Sequence, residues 1–152
     1  MTFREMVETL GKNLGIELVD EGGAAAVQID GNTVILHAAG DDLILIHADL
    51  GDIAPESRDR VLAVAMEANF LYRGTGGATL AVNPADAHLH LQKYNWLERM
   101  DADKMLETLS RFAETVSAWK RIAMDASAAQ ENFSAAEAFS PVDLHSGGFM
   151  RV

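Results

Sequence analysis

PESRDRVLAVAMEANFLYRGTGGATLAVNP, residues 55 to 84, reads as a helix, a glycine turn at Gly74, Gly76 and Gly77, and a strand from Ala78 to Val82. Between Val61 and Tyr72 only Glu67 and Asn69 are polar, and the apolar residues are spread around the whole helix. A surface helix would show one polar face. This one needs cover on both sides, from its own sheet on one and from a second copy of the same helix, across a two-fold axis, on the other. The spacing predicts that it starts at Pro55, whose missing N–H costs nothing at a first helical position, and ends near Arg73.

The chain around it has 152 residues, enough for a single domain with a real core. With 49% hydrophobic and 23% charged residues the composition is that of a globular protein. No apolar run approaches the roughly 18 residues of a membrane span. The opening MTFREMVETL carries Glu5 and Glu8 and does not read as a secretory signal, so the expected location is the cytoplasm. Zero cysteines exclude a disulfide framework, a thiolate metal site and a cysteine nucleophile. Twelve Lys plus Arg against 23 Asp plus Glu, a net charge of -11, argue against nucleic acid and against an anionic membrane. Such a charge keeps an apolar surface soluble, or attracts a basic partner segment.

Thr2 to Leu14 predicts a first helix with a Thr2–Glu5 capping box and a left-handed stop at Gly15. Phe3, Met6, Val7 and Leu10 form its apolar stripe. Strands follow at Ala26 to Asp30 and Asn32 to Ala38, joined by the tight turn Asp30-Gly31-Asn32, and at Leu43 to Ala48. Val27 and Ile29 alternate with polar residues, as in an edge strand. The third strand is apolar on both faces, Leu43 and Leu45 on one, Ile44 and Ile46 on the other, so one face is left as an apolar patch if helices cover only one side of the sheet. After the central helix come a hairpin, Ala78 to Val82 with Ala87 to Tyr94, and a last helix capped by Asp101 and ending near Asp125. The order α-β-β-β-α-β-β-α gives an α+β domain over residues 1–125, with a largely antiparallel, twisted sheet packed by helices. Residues 126–152 form an Ala/Ser/Gly-rich tail with isolated aromatics such as Phe133 and Phe139, and these could cover the apolar patch.

Catalytic chemistry is hard to find. The glycine turn runs from helix to strand, the reverse of a phosphate loop, and lacks the lysine. No serine has a nucleophile-elbow context. His88 and His90 share a strand face and could reach one metal ion, but spacing fixes no third ligand. No cofactor, metal or catalytic residue is therefore expected. A small metal-dependent enzyme built on the two histidines is the alternative of that class.

The run from Glu67 to Val82, with Leu14-Gly15-Ile16, Leu50-Gly51 leading to Pro55, and Phe112 and Trp119 in the last helix, resembles the type III secretion chaperones of the Tir chaperone (CesT) family, the class I effector chaperones. The likeness covers about Met1 to Arg121. It implies a non-enzymatic, cytoplasmic homodimer that holds the N-terminal region of a secreted effector in partly extended form. In that family the second helix and its neighbouring strand make the dimer, which would draw on Val61, Leu62, Ala65, Met66, Ala68, Asn69 and Tyr72, the two alanines permitting close approach. Family clients add a strand to a sheet edge and place apolar helices in patches. The client contacts expected here are Phe3, Met6, Val7, Leu10, Val27, Ile29, Ile44 and Ile46. A regulatory or scaffold dimer resembling the YbjN-like proteins, without a secretion client, is the other reading.

Overall fold

The computed structural model describes residues 1–124. Its elements are α1 (Phe3–Leu14), β1 (Ala24–Ile29), β2 (Asn32–Ala38), β3 (Leu43–Gly51), α2 (Arg58–Asn69), β4 (Thr79–Val82), β5 (Leu89–Trp96) and α3 (Ala102–Met124). The order is the expected one. The Ala126–Val152 tail, with Phe133 and Phe139, lies outside the described residues.

Helix ends follow their local chemistry. Thr2 and Glu5 form a reciprocal capping box on α1, and Gly15 closes the helix in the left-handed region at φ 67°. Asp101 caps α3 by accepting the Lys104 amide at 2.8 Å. Asp30 and Gly31, both at positive φ, make the tight β1–β2 turn.

The strands form one antiparallel sheet in the order β1-β2-β3-β5-β4, so β1 and β4 are its edges. Helices pack on one face. Val34 and Leu36 of β2, Ile44, Ile46 and Ala48 of β3, and Leu89 and Leu91 of β5 are buried there with Met6 and Leu10 of α1 and Met105, Leu109 and Val116 of α3. Asn32 ties the sheet to α3 by donating to the Ser117 hydroxyl at 2.8 Å.

The decisive stretch differs from expectation in one respect. A single 3-10 turn at Pro55–Ser57 leads into α2, which ends at Asn69 rather than near Arg73. A second 3-10 turn, Phe70–Tyr72, follows with a kink. The helix stops because its last groups turn to other partners. The Gly74 amide returns to the Ala68 carbonyl at 3.2 Å, and the Gly74 carbonyl accepts the Trp119 indole N–H at 2.9 Å. A side chain at Gly74 would meet the Ala68 Cβ at 2.7 Å, so that position needs glycine.

Candidate functional site

Side-chain alternation along the strands creates two unlike faces. Opposite the helix layer, register places Leu43 beside Trp96, Leu45 between His37 and Tyr94, and His47 between Ile35 and Gln92. No helix covers this face among the described residues, and Tyr94 and Trp96 are 59% and 51% exposed. With Leu43 and Leu45 beside them, these two aromatics give the open face an exposed apolar patch.

A ladder of imidazoles crosses the same face. The His37 and His47 ring centroids are 4.9 Å apart, and those of His47 and His90 are 5.8 Å apart and stacked. Burial, reinforced by the neighbouring His37 and His90, pushes His47 below its ordinary value and favours the uncharged ring. At the ladder's end the chemistry reverses. A bulge in β3 between Asp49 and Gly51 sets the Asp49 carboxylate beside His88, with Nδ1 to oxygen distances of 2.9 and 3.1 Å. That hydrogen bond raises His88. Burial presses Asp49 upward, but the His88 ring, the Gly51 amide and His90 together hold its carboxyl below the ordinary value. Asp86 is held down first by the His88 amide.

The second surface is on α2. Val61, Ala65 and Ala68, spaced four and three residues apart, are buried within the chain, where α2 packs on β4. The opposite side carries Met66, 73% exposed, with half-buried Leu62. The kinked turn adds Phe70, Leu71 and Tyr72, all more than half exposed. Leu71 and Tyr72 sit at positive φ, an uncommon state for residues other than glycine. Asn69 is half-buried and engaged within its own chain. Its side-chain nitrogen donates to the Leu80 carbonyl at 3.0 Å and its oxygen accepts the Leu80 amide at 2.9 Å. The amide thus takes the place of a neighbouring strand on the outer edge of β4.

The sequence-predicted site residues therefore divide. Of the expected dimer set, Met66 and Tyr72 are open, Leu62 is half-buried, Val61, Ala65 and Ala68 belong to the chain's own core, and Asn69 is engaged with Leu80. Of the expected client set, Phe3, Met6, Val7, Leu10, Val27, Ile44 and Ile46 are buried in the core between the helices and the sheet, while Ile29 is half-buried on the β1 edge. Reading β3 alone could not choose between its two apolar faces. The alternation in β5 could, because His90 and Gln92 put polar residues on the face shared with Leu43 and Leu45, against Leu89 and Leu91 on the other. A third group near His88 and His90 was also within reach of the sequence, since Asp86-Ala87-His88-Leu89-His90 puts three possible ligands at alternate positions, whereas Asp49 comes from another strand.

A family model described as the Tir chaperone protein (CesT) family matches residues 5–120. No curated protein matches the chain. Among solved structures it is similar to a chain of the Yersinia pestis type III secretion chaperone SycH in complex with a stable fragment of YscM2, at 18% identity and a TM-score of 0.63 over 78% of this chain and 99% of that one. It is similar as well to a chain of the ExoU–SpcU heterodimeric complex from the type III secretion system of Pseudomonas aeruginosa, with 16% identity, a TM-score of 0.57, and coverage of 87% and 95%. The ExoT–SpcS complex of Pseudomonas aeruginosa gives 17% identity and a TM-score of 0.54 over 76% and 91% of the two chains. At these identities the structures establish the fold.

Proposed function

We propose that this chain, which belongs to the Tir chaperone protein (CesT) family, is a cytoplasmic, non-enzymatic chaperone that works as a homodimer and binds the N-terminal region of a secreted effector. The observation that carries the reading is the pair of apolar surfaces, on separate sides of one small domain, that nothing among the described residues covers. One suits a second copy and the other suits a client.

The α2 surface is assigned to the dimer. Met66 and Tyr72, joined by Leu62, Phe70 and Leu71, present a contiguous apolar stretch beside an edge strand whose hydrogen-bonding groups at Leu80 are already taken by Asn69. Side-chain packing is then the available mode, and two-fold symmetry makes such a patch self-complementary. The client is assigned to the open sheet face at Leu43, Leu45, Tyr94 and Trp96, and to the β1 edge. Among the described residues β1 has β2 as its one strand neighbour, with Ile29 half-exposed at its end. An extended segment can add a strand there. A client occupying these places would leave its own apolar residues sheltered without any chemical step, which is why no catalytic group is required.

The test is to isolate the tagged protein gently from its own cells, identify what co-purifies, and measure the mass of the complex by light scattering. The expected result is two copies of this chain with the N-terminal part of one secreted protein. A bare dimer in cells whose export is active overturns the client assignment and favours a scaffold role. A monomer overturns the dimer assignment.

A further inference from the structure

We propose that Asp49, Asp86, His88 and His90 form a zinc site at the end of the open sheet face. Three elements converge there: the β3 bulge brings Asp49, the turn before β5 brings Asp86 and His88, and β5 brings His90, which pairs with Asp49 in register. One ligand atom each from Asp49, Asp86 and His88 lies within 4.8 Å of the other two. The His90 ring supplies an independent observation. Its Nε2 atom is shielded from solvent, has no hydrogen-bond partner among the described residues, and lies 3.9 Å from an Asp49 oxygen and 3.7 Å from an Asp86 oxygen. A buried imidazole nitrogen left without a partner is costly unless something fills the gap.

Four ligands at zinc's usual bond lengths of roughly 2.0–2.2 Å, placed tetrahedrally, stand about 3.3–3.5 Å from one another. The His90 contacts are only a few tenths of an ångström longer, and small side-chain rotations of Asp49 and His88 close the set. Two imidazoles with two carboxylates select a borderline ion such as Zn2+ over Mg2+ or Ca2+, which prefer all-oxygen shells. Hydrogen bonds from the turn and the bulge hold both carboxylates in place. The Asp86 oxygens accept the Asn83 side-chain amide and the His88 backbone amide, both at 2.9 Å, and Asp49 accepts the Gly51 amide at 2.7 Å. A bound ion would pin the Asn83–His88 turn to β3 beside the imidazole ladder. The site does not depend on the chaperone reading, and the measurement needs no client.

Chelator-treated full-length protein is titrated with Zn2+ by calorimetry, in parallel with Ca2+ and Mg2+. One tight Zn2+ per chain is expected, with a rise in unfolding temperature. His88→Ala and Asp86→Asn, each checked for intact fold by circular dichroism, should weaken binding by about tenfold or more and abolish the temperature rise. His37→Gln, outside the cluster, should bind as the unaltered protein does. In the Co2+-substituted protein, visible bands of tetrahedral intensity are expected, and His90→Gln should alter them. The proposal is overturned if Zn2+ binds no more tightly than Ca2+ or Mg2+, or if folded His88→Ala and Asp86→Asn retain the unaltered protein's affinity.

Discussion

Asn69 donates to one backbone group of Leu80 and accepts from the other, so a single side chain satisfies the outer edge of β4. Replacing it by alanine strands a partly buried N–H and a C=O, a loss of about 1–3 kcal/mol. Asn69→Ala is therefore expected to lower the urea midpoint without changing its slope, and amide exchange at Leu80 should speed up more than exchange in β2 or β3. Asp101 gives a prediction in pH. The backbone amide of Lys104 first, and its side chain second, hold the Asp101 carboxyl below its ordinary value of 3.8. A depressed carboxylate stabilises the fold above its unfolded-state value, and the contribution is lost as pH falls through the folded one. Asp101→Asn keeps an oxygen for the cap but cannot titrate, so its unfolding temperature should fall less steeply than that of the unaltered protein below about pH 4. The two residues differ in how far the sequence reveals them. Asp101 announces itself by standing before a helical period, and Thr2 with Glu5 does the same. The partner of Asn69 lies eleven residues on, across a turn, and no local pattern names it.

At the level of the element, α2 shows how an all-round apolar helix resolves. Its inner line, Val61, Ala65 and Ala68, is consumed by the chain's own core, so the apolar surface left exposed, to which the proposed dimer is assigned, is the outer line and the kinked turn after it. That the helix is apolar on more than one side was legible in the sequence. Which residues faced which side was not, because periodicity cannot orient a helix that is apolar everywhere. Nor could it show that Leu71 and Tyr72 leave the helix for positive φ. Non-glycine residues held there cost about 1–3 kcal/mol each, and such strain persists where the surroundings enforce it. The expected outcome of Met66→Glu combined with Phe70→Glu is a folded monomer by light scattering, since both side chains are more than half exposed and their loss removes little from the core. Leu71→Gly should relieve backbone strain while shrinking the same patch, so the unfolding temperature of the monomer variant should hold or rise when it is added. A dimer that survives the paired glutamates would place the two-fold contact elsewhere on the molecule.

Across the whole molecule, the same strand serves the core with one face and the outside with the other. Ile44 and Ile46 lie under α3 with no exposure, whereas Leu43 and Leu45 alternate with them on the open side beside Trp96 and Tyr94. Helices stacked on a single side of a sheet produce this asymmetry, and an apolar composition on both sides of β3 is its trace in the sequence. The trace does not say which side is which, since that depends on where α1 and α3 come back to pack. A charge therefore has opposite consequences at adjacent positions. Ile44→Asp buries a carboxylate in the core at a cost of several kcal/mol and is expected to leave little folded protein. Tyr94→Asp with Trp96→Asp puts charges where water already reaches, so the fold and the dimer should persist. If the open face receives the client, that pair alone should weaken client capture by about tenfold or more, as loss of central aromatic anchors does at other interfaces. Folded protein that still captures its client at full strength would shift the contact to the β1 edge. Strand addition would then act without the patch, and a proline at Gln28 on that edge would become the substitution that stops capture.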